Sequence, residues 1–207
     1  MGSESSLYDQ DVPAIHNGAD DNASGVAGML ELARSIMDGE ARYANTNYLF
    51  IAFSGEEMGL LGSNFFVDNM RELNLEPKMM INLDMVGRLE ENSLAVNGVG
   101  TSPHWGDLIQ EKGCLDLRIK TSQSGVGPSD HTSFYHAEIP VSNFFTGTHD
   151  DYHKPSDDIE KINYEGEARV LRYILGIIEQ SSQIENMRFT TTTDESTKAP
   201  KFSVTLG

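Results

Sequence analysis

The stretch Asn47-Tyr48-Leu49-Phe50-Ile51-Ala52-Phe53-Ser54-Gly55-Glu56-Glu57 decides the fold. Its first seven residues form an unbroken apolar run, the pattern of a strand buried on both faces. The Ser54-Gly55 break ends that run, and two adjacent carboxylates follow at once. A buried strand that delivers charge at its carboxyl end is how an open α/β sheet builds a site.

Working outward from this stretch, the rest of the chain alternates in the same way. Residues 24–37 read as a helix, with Val26, Met29, Leu30, Ala33 and Met37 on one face and Asn22 or Ser24 as its cap. A helix is expected over about 60–73. A second buried strand over 79–83 ends at Asp84. Further strands are expected over 93–96, 115–121 and 141–145, a helix over 104–111 behind Pro103, and a long helix over 164–183. Leu171, Ile174, Leu175 and Ile178 of that last helix are spaced for burial. Strands alternating with helices predict an α/β fold with a mixed, mostly parallel sheet. Residues 1–187 read as one domain and 188–207 as a linker leading to a strand at 202–206 that begins something further.

The chain has 207 residues, a formal net charge of −17 and one cysteine, Cys114. That charge argues against a nucleic-acid partner, since phosphate binding needs a basic face, and it favours cations, metal ions included. A single cysteine permits no intrachain disulfide. No apolar run reaches the roughly 18 residues of a membrane-spanning helix. Met1–Ser6 lacks the basic and apolar regions of a signal peptide.

Acidic or histidine-bearing strings recur at the ends of expected strands: 19–25, 54–57, 82–85 and 152–157. Those after the expected strands at 47–53, 79–83 and 141–145 can bring Glu56, Glu57, Asp84 and His153 to one edge. Carboxylates and imidazoles are zinc ligands, and clustered carboxylates repel one another unless a cation neutralises them. Two adjacent glutamates suit a division of labour, one holding metal while its neighbour moves a proton.

The strings NGADDNASG (17–25), SGEEMGLLGS (54–63), NLDMVGR (82–88), SDHTSF (129–134) and DYHKPSDDIEKIN (151–163) together resemble the co-catalytic zinc aminopeptidases. Their relatives include glutamate carboxypeptidase, glutaminyl cyclase and the transferrin receptor ectodomain. The resemblance runs from about residue 15 to residue 185. It implies a three-layer αβα zinc-peptidase fold that hydrolyses N-terminal residues of peptides. Asp21 resembles the carboxylate bridging two zincs, Glu57 and His153 ligands of the second zinc, and Asp84 a ligand of the first. Glu56 resembles the general base and Tyr152 an oxyanion-stabilising tyrosine. Asp130 and Asp157 resemble groups that orient ligands. In relatives the peptide bond after the bridging aspartate is cis, so Asp21-Asn22 is expected to be cis.

One departure stands out. The family's first zinc also takes a histidine from an upstream His-x-Asp motif at a strand end, which this chain does not contain. His16, in the string AIHNGADD, is the only histidine ahead of Asp21. By resemblance the chain reads as part of a longer, exported, extracytoplasmic protein, without its N-terminal strands and ending before a PDZ-type domain. About one tightly bound zinc is therefore expected here. Asp20 reads as a solvated or capping residue. His131 reads either as a structural hydrogen-bonding residue or as a pocket lining. His104, His136 and His149 read as surface or structural groups. Trp105 suits either core or a specificity pocket. A one-zinc acyltransferase of the glutaminyl cyclase kind and a binding ectodomain without catalysis are the competing readings.

Overall fold

A computed structural model describes residues 6–8, 14–39, 43, 46–109 and 116–193. Strands β1 (Met80–Leu83), β2 (Ser93–Asn97), β3 (Arg118–Ser122) and β4 (Val141–Phe145) form one sheet in the order β1-β4-β2-β3. β1 runs parallel to β4 and β2 parallel to β3, while β2 and β4 are antiparallel. The sheet is thus mixed and mostly parallel, as expected. β4 lies between two neighbours, and its first four residues are all buried. β3 is an edge, and its solvent-rich Arg-Ile-Lys-Thr-Ser sequence suits that place.

Among the described residues, five helices flank the sheet: α1 (Gly25–Asp38), α2 (Leu61–Asn69), α3 (Trp105–Leu108), α4 (His131–His136) and α5 (Tyr164–Ser181). One core unites Leu32 and Ile36 of α1, Leu94 and Val96 of β2, Phe144 of β4, and Val170, Ile174 and Ile177 of α5. A second, on the other face, holds Met70, Phe134, Tyr135, Ile139 and Val141 with Phe53 and Phe66 packed on it. Val141 and Phe144 fall in different cores because residues an odd number apart on a strand face opposite ways. Trp105 is core, fully buried, with its indole N–H donated to Thr101 Oγ1 at 3.1 Å.

Helix α5 starts where Asn163 accepts from the Gly166 N–H at 2.9 Å, and Glu165 and Glu167 occupy its positive first turn. Helix α1 matches its expected span but buries another face. Gly25, Gly28, Leu32 and Ile36 point inward, while Val26, Leu30 and Met37 are exposed. Apolar residues at helical spacing occur on both sides of this helix, so periodicity does not choose. Close approach chooses: a Cβ at Gly28 would lie 2.8 Å from Leu171 and 3.2 Å from Leu83.

The expected strand over 47–53 is the larger difference. The segment is present but belongs to no ladder, and Leu49 and Phe50 are 58% and 39% exposed. An apolar run becomes a strand only when a neighbour supplies backbone partners, and none among the described residues does. Cys114, Leu115 and the expected strand at 202–206 lie outside the described residues. Beyond residue 187, Thr190 N–H donates to Thr101 O at 2.8 Å and Thr192 Oγ1 accepts from the Gly125 N–H at 2.9 Å. This part of the expected linker packs on the domain. No described helix is long and apolar enough to cross a membrane.

The rotated face of α1 is open to test by chemical denaturation. Leu32, 4% exposed, should cost about 2–5 kcal/mol when replaced by alanine. Leu30→Ala, at a position 62% exposed, should stay within about 0.5 kcal/mol.

Candidate metal centre

Three loops meet beyond the carboxyl end of β1 and β4. The first, a kinked turn over Ala19–Ser24, carries Asp21, and its Asp21-Asn22 peptide bond is cis, as expected. The second carries Glu56 and Glu57 behind Gly55, whose φ of 69° lies in the left-handed region. The third carries Tyr152 and His153. Asp84 follows β1 directly.

These loops bring ligand atoms of Asp21, Glu57 and His153 within 4.8 Å of one another. His153 Nε2 lies 3.2 Å from Asp21 Oδ2 and 2.9 Å from Glu57 Oε1. Tyr152 stacks on the His153 ring at 3.7 Å. Glu56, Asp84 and Asp130 line the same cavity as Asp21 and Glu57. His16 stands outside this group: its Nε2 is 2.8 Å from Ser6 Oγ and its Nδ1 is 3.2 Å from Ala14 O.

The charge pattern asks for a cation. Burial, then Asp84 and Glu57, push the Asp21 carboxyl up to about 7. Burial, then Asp84, Glu57, Asp130 and Asp21, push Glu56 up to about 8. Asp84 is raised chiefly by burial, against a hydrogen bond from Ser129. Burial and the same carboxylates raise the Tyr152 hydroxyl to about 12, which keeps it a donor. Asp130 is raised by burial, and its buried Oδ1 has no hydrogen-bond partner. Carboxylates and an imidazole with these spacings, and an excess of mutually repelling negative charge, fit a divalent ion such as zinc.

Hydrogen bonds, several of them buried, hold the loops against that repulsion. Asp157, fully buried, accepts the Asp20 N–H on both oxygens and the Asp21 N–H on Oδ2, each at 3.0 Å. Asn22 Oδ1 accepts from Gly25 N–H at 3.1 Å and Met85 N–H at 3.2 Å, and its amide donates to Leu83 O at 2.9 Å. A Cβ on Gly25 would lie 2.4 Å from Leu83 O, so the helix can begin there only with glycine. Lys161 and Arg88 pair with Asp151, one residue before Tyr152, and hydrogen bonds from Lys161, then Ser156, then Arg88 lower its pKa.

Two expectations need correction. Asp20 is neither solvated nor a helix cap. It is fully buried and accepts from Ser24 Oγ at 2.9 Å and Gly87 N–H at 2.7 Å, with His149 Nε2 3.2 Å away. Thus Asp20, Ser24 and His149 tie the metal loop to the loops after β1 and β4, a role no local pattern signalled beyond the density of the NGADDNASG string. His131 is 1% exposed with neither ring nitrogen hydrogen-bonded, and burial lowers it to about 4. It is therefore not held by a structural hydrogen bond.

The raised carboxyls set a pH dependence. In the folded chain Asp21 and Glu56 bind protons at pH values where the unfolded chain has released them. Their contribution is full below the ordinary carboxylate range and is lost as pH rises through about 7 and 8. With metal chelated, the melting temperature should fall between about pH 5 and pH 8. Zinc should raise it most at the upper end, where both carboxylates are ionised. A metal-free melting temperature that rises monotonically over this range would contradict the arrangement.

Comparison with known proteins agrees with this geometry. The model of peptidase family M28 matches residues 6–178. Aminopeptidase YwaD of Bacillus subtilis (strain 168) is 36% identical over 72% of this chain, which spans 34% of that protein. The structure of BSAP, a zinc aminopeptidase from Bacillus subtilis, superposes with a TM-score of 0.63 at 31% identity, covering 82% of this chain and 43% of that one. An aminopeptidase from Aneurinibacillus sp. strain AM-1 gives 0.61 at 29% identity, over 85% and 41%. The chain thus spans less than half the length of these relatives. With the matched region embracing every loop of the carboxylate and histidine cluster, the chain belongs to peptidase family M28.

Proposed function

We propose that this chain carries the metal-holding and proton-transfer groups of a zinc-dependent aminopeptidase. The gathering of Asp21, Glu57 and His153 within 4.8 Å, with Glu56 beside them, carries the reading. Asp21, Glu57 and His153 would hold zinc, with Asp84 facing the same cavity. A bound zinc supplies Lewis-acid activation of water and of the scissile carbonyl.

The chain's own groups do the rest. The Glu56 carboxylate takes a proton from the attacking water and passes it to the leaving amine. A carboxyl that titrates near neutrality suits both halves of that transfer. The Tyr152 hydroxyl, held protonated, donates to the oxyanion that forms on the carbonyl. Asp157 and Asp20 fix the backbone of the metal loop, and Asp130 lines the cavity with one buried carboxylate oxygen unpartnered. Cleavage of N-terminal residues is supported by the names of the relatives that share 29–36% identity.

Two measurements test this. Glu56→Gln should lower hydrolysis of an aminoacyl anilide by about 10²–10⁴-fold while leaving zinc content unchanged. Unaltered turnover would remove Glu56 from the proton path, and release of cyclised N-terminal glutamine instead would favour the acyltransferase reading. Metal analysis of the 207-residue chain should find about one zinc per chain, since only Asp21, Glu57 and His153 form a complete donor set among the described residues.

A further inference from the structure

The loop that carries Tyr152 and His153 is anchored at both ends. Its start is held at His149, whose Nε2 lies 3.2 Å from Asp20 Oδ2. Its end is held at Asp157, which accepts the Asp20 and Asp21 N–H groups. Between these anchors the chain turns twice, with Tyr152 N–H donating to His149 O and Lys154 N–H to Asp151 O, each at 3.0 Å. His153 sits within these turns at a φ of 56°, in the left-handed region. A residue with a Cβ stays in that region only where its surroundings hold it there. Leu7 N–H donates to His153 O at 2.9 Å, which fixes one backbone atom but not the aim of the ring.

The Asp151 carboxylate ties these turns to the rest of the fold. Its Oδ1 accepts from Ser156 Oγ at 2.7 Å and from Lys161 Nζ, at the end of the helical turn Ile159–Lys161. Its Oδ2 accepts from both terminal nitrogens of Arg88, at 3.3 and 3.2 Å. Arg88 follows Asp84 in the loop after β1, so this ion pair joins the loop of Asp84 to the loop of His153. Its two side chains are only 14% and 15% exposed. Exposed pairs such as Arg34–Glu31 contribute little to stability, whereas breaking a shielded pair strands the remaining charge. We propose that Asp151 is a positioning residue of the metal centre: with Arg88, Lys161 and Ser156 it locks the turn in which His153 meets Asp21 and Glu57. It acts through His153, whose Nε2 would move off Asp21 and Glu57 if the turn relaxed. The inference rests on the reading of His153 as a metal ligand.

Zinc titration of the 207-residue chain tests the lock, with cobalt(II) as a visible probe of the ligand set. Asp151→Asn keeps the shape of the side chain and removes its charge. Zinc affinity should fall about tenfold or more, the usual effect of losing a group that orients a metal ligand. The cobalt absorption should change with it, as His153 leaves the ligand set. Asp151→Glu restores the charge and should recover part of both. Asp150→Asn removes the same charge from the exposed neighbour and should change neither. Lys161→Met leaves Arg88 and Ser156 in place and should give the same spectral change in weaker form. Unchanged affinity and spectrum in a folded Asp151→Asn chain would overturn the inference. If that variant does not fold, an unchanged Lys161→Met chain would do so. Equal losses in Asp151→Asn and Asp150→Asn would also overturn it, since net charge alone would then account for both. An unaltered chain that binds no zinc would refute the metal centre itself, and this inference with it.

Discussion

Mutual repulsion among buried carboxylates is the constraint around which this molecule is arranged. Asp21, Glu56, Glu57, Asp84 and Asp130 share one cavity, and burial raises several of them well above the usual carboxylate range. Loops free to relax would part them. They stay together because Asp157 and Asp20, themselves buried carboxylates, spend their acceptors on backbone N–H groups of Asp20, Asp21 and Gly87. Charge-assisted bonds of this kind are among the stronger ones available to a loop. The cost of concentrating charge at one edge is carried by a hydrogen-bonded frame behind it, and a cation bound in front would relieve it.

The sheet explains why that frame sits where it does. β1 and β4 are parallel neighbours, so their carboxyl ends coincide and the loops after them, carrying Asp84 and residues 146–153, start side by side. Helix α1 starts under the same edge. Gly25 lets its first turn approach Leu83 O, and Gly28 lets its body approach Leu83 and Leu171. Asn22 closes the arrangement by bridging the metal loop to Leu83 and Met85. A few small residues and amide contacts thus convert a sheet edge into a rigid platform.

The division of roles within the cluster follows from local environment. Tyr152 stacks on His153 and keeps its proton, so it can donate but not act as a base. Glu56 has its carboxyl raised to about 8 by burial and then by its acidic neighbours, which suits reversible proton transfer. Glu57 and Asp21 both approach His153 Nε2, the disposition of groups converging on one ion. In the proposed reading, Asp21 and Glu57 hold metal and Glu56 moves a proton because of where each loop holds them.

Much of this was legible in the sequence. Strand ends followed by acidic or histidine-bearing strings announced Asp84 and His153, because the parallel strands β1 and β4 leave their loops at one edge, while Asp21 and Glu57 were legible from the family resemblance. The elements β1, β2, β4, α1 and α5 followed from apolar runs and helical spacing. Tertiary structure decided the rest. Which face of α1 is buried depended on glycine contacts with Leu83 and Leu171, which periodicity does not encode. Asp20 and His149 acquired a shared buried position only when loops more than a hundred residues apart met. The apolar run 47–53 was read as a strand from its composition alone. Composition states that such a segment is suited to burial, whereas a ladder also needs partner amides and carbonyls. Among the described residues those partners lie on neither side, so strand propensity is a property of the sequence and strand formation a property of the assembled sheet.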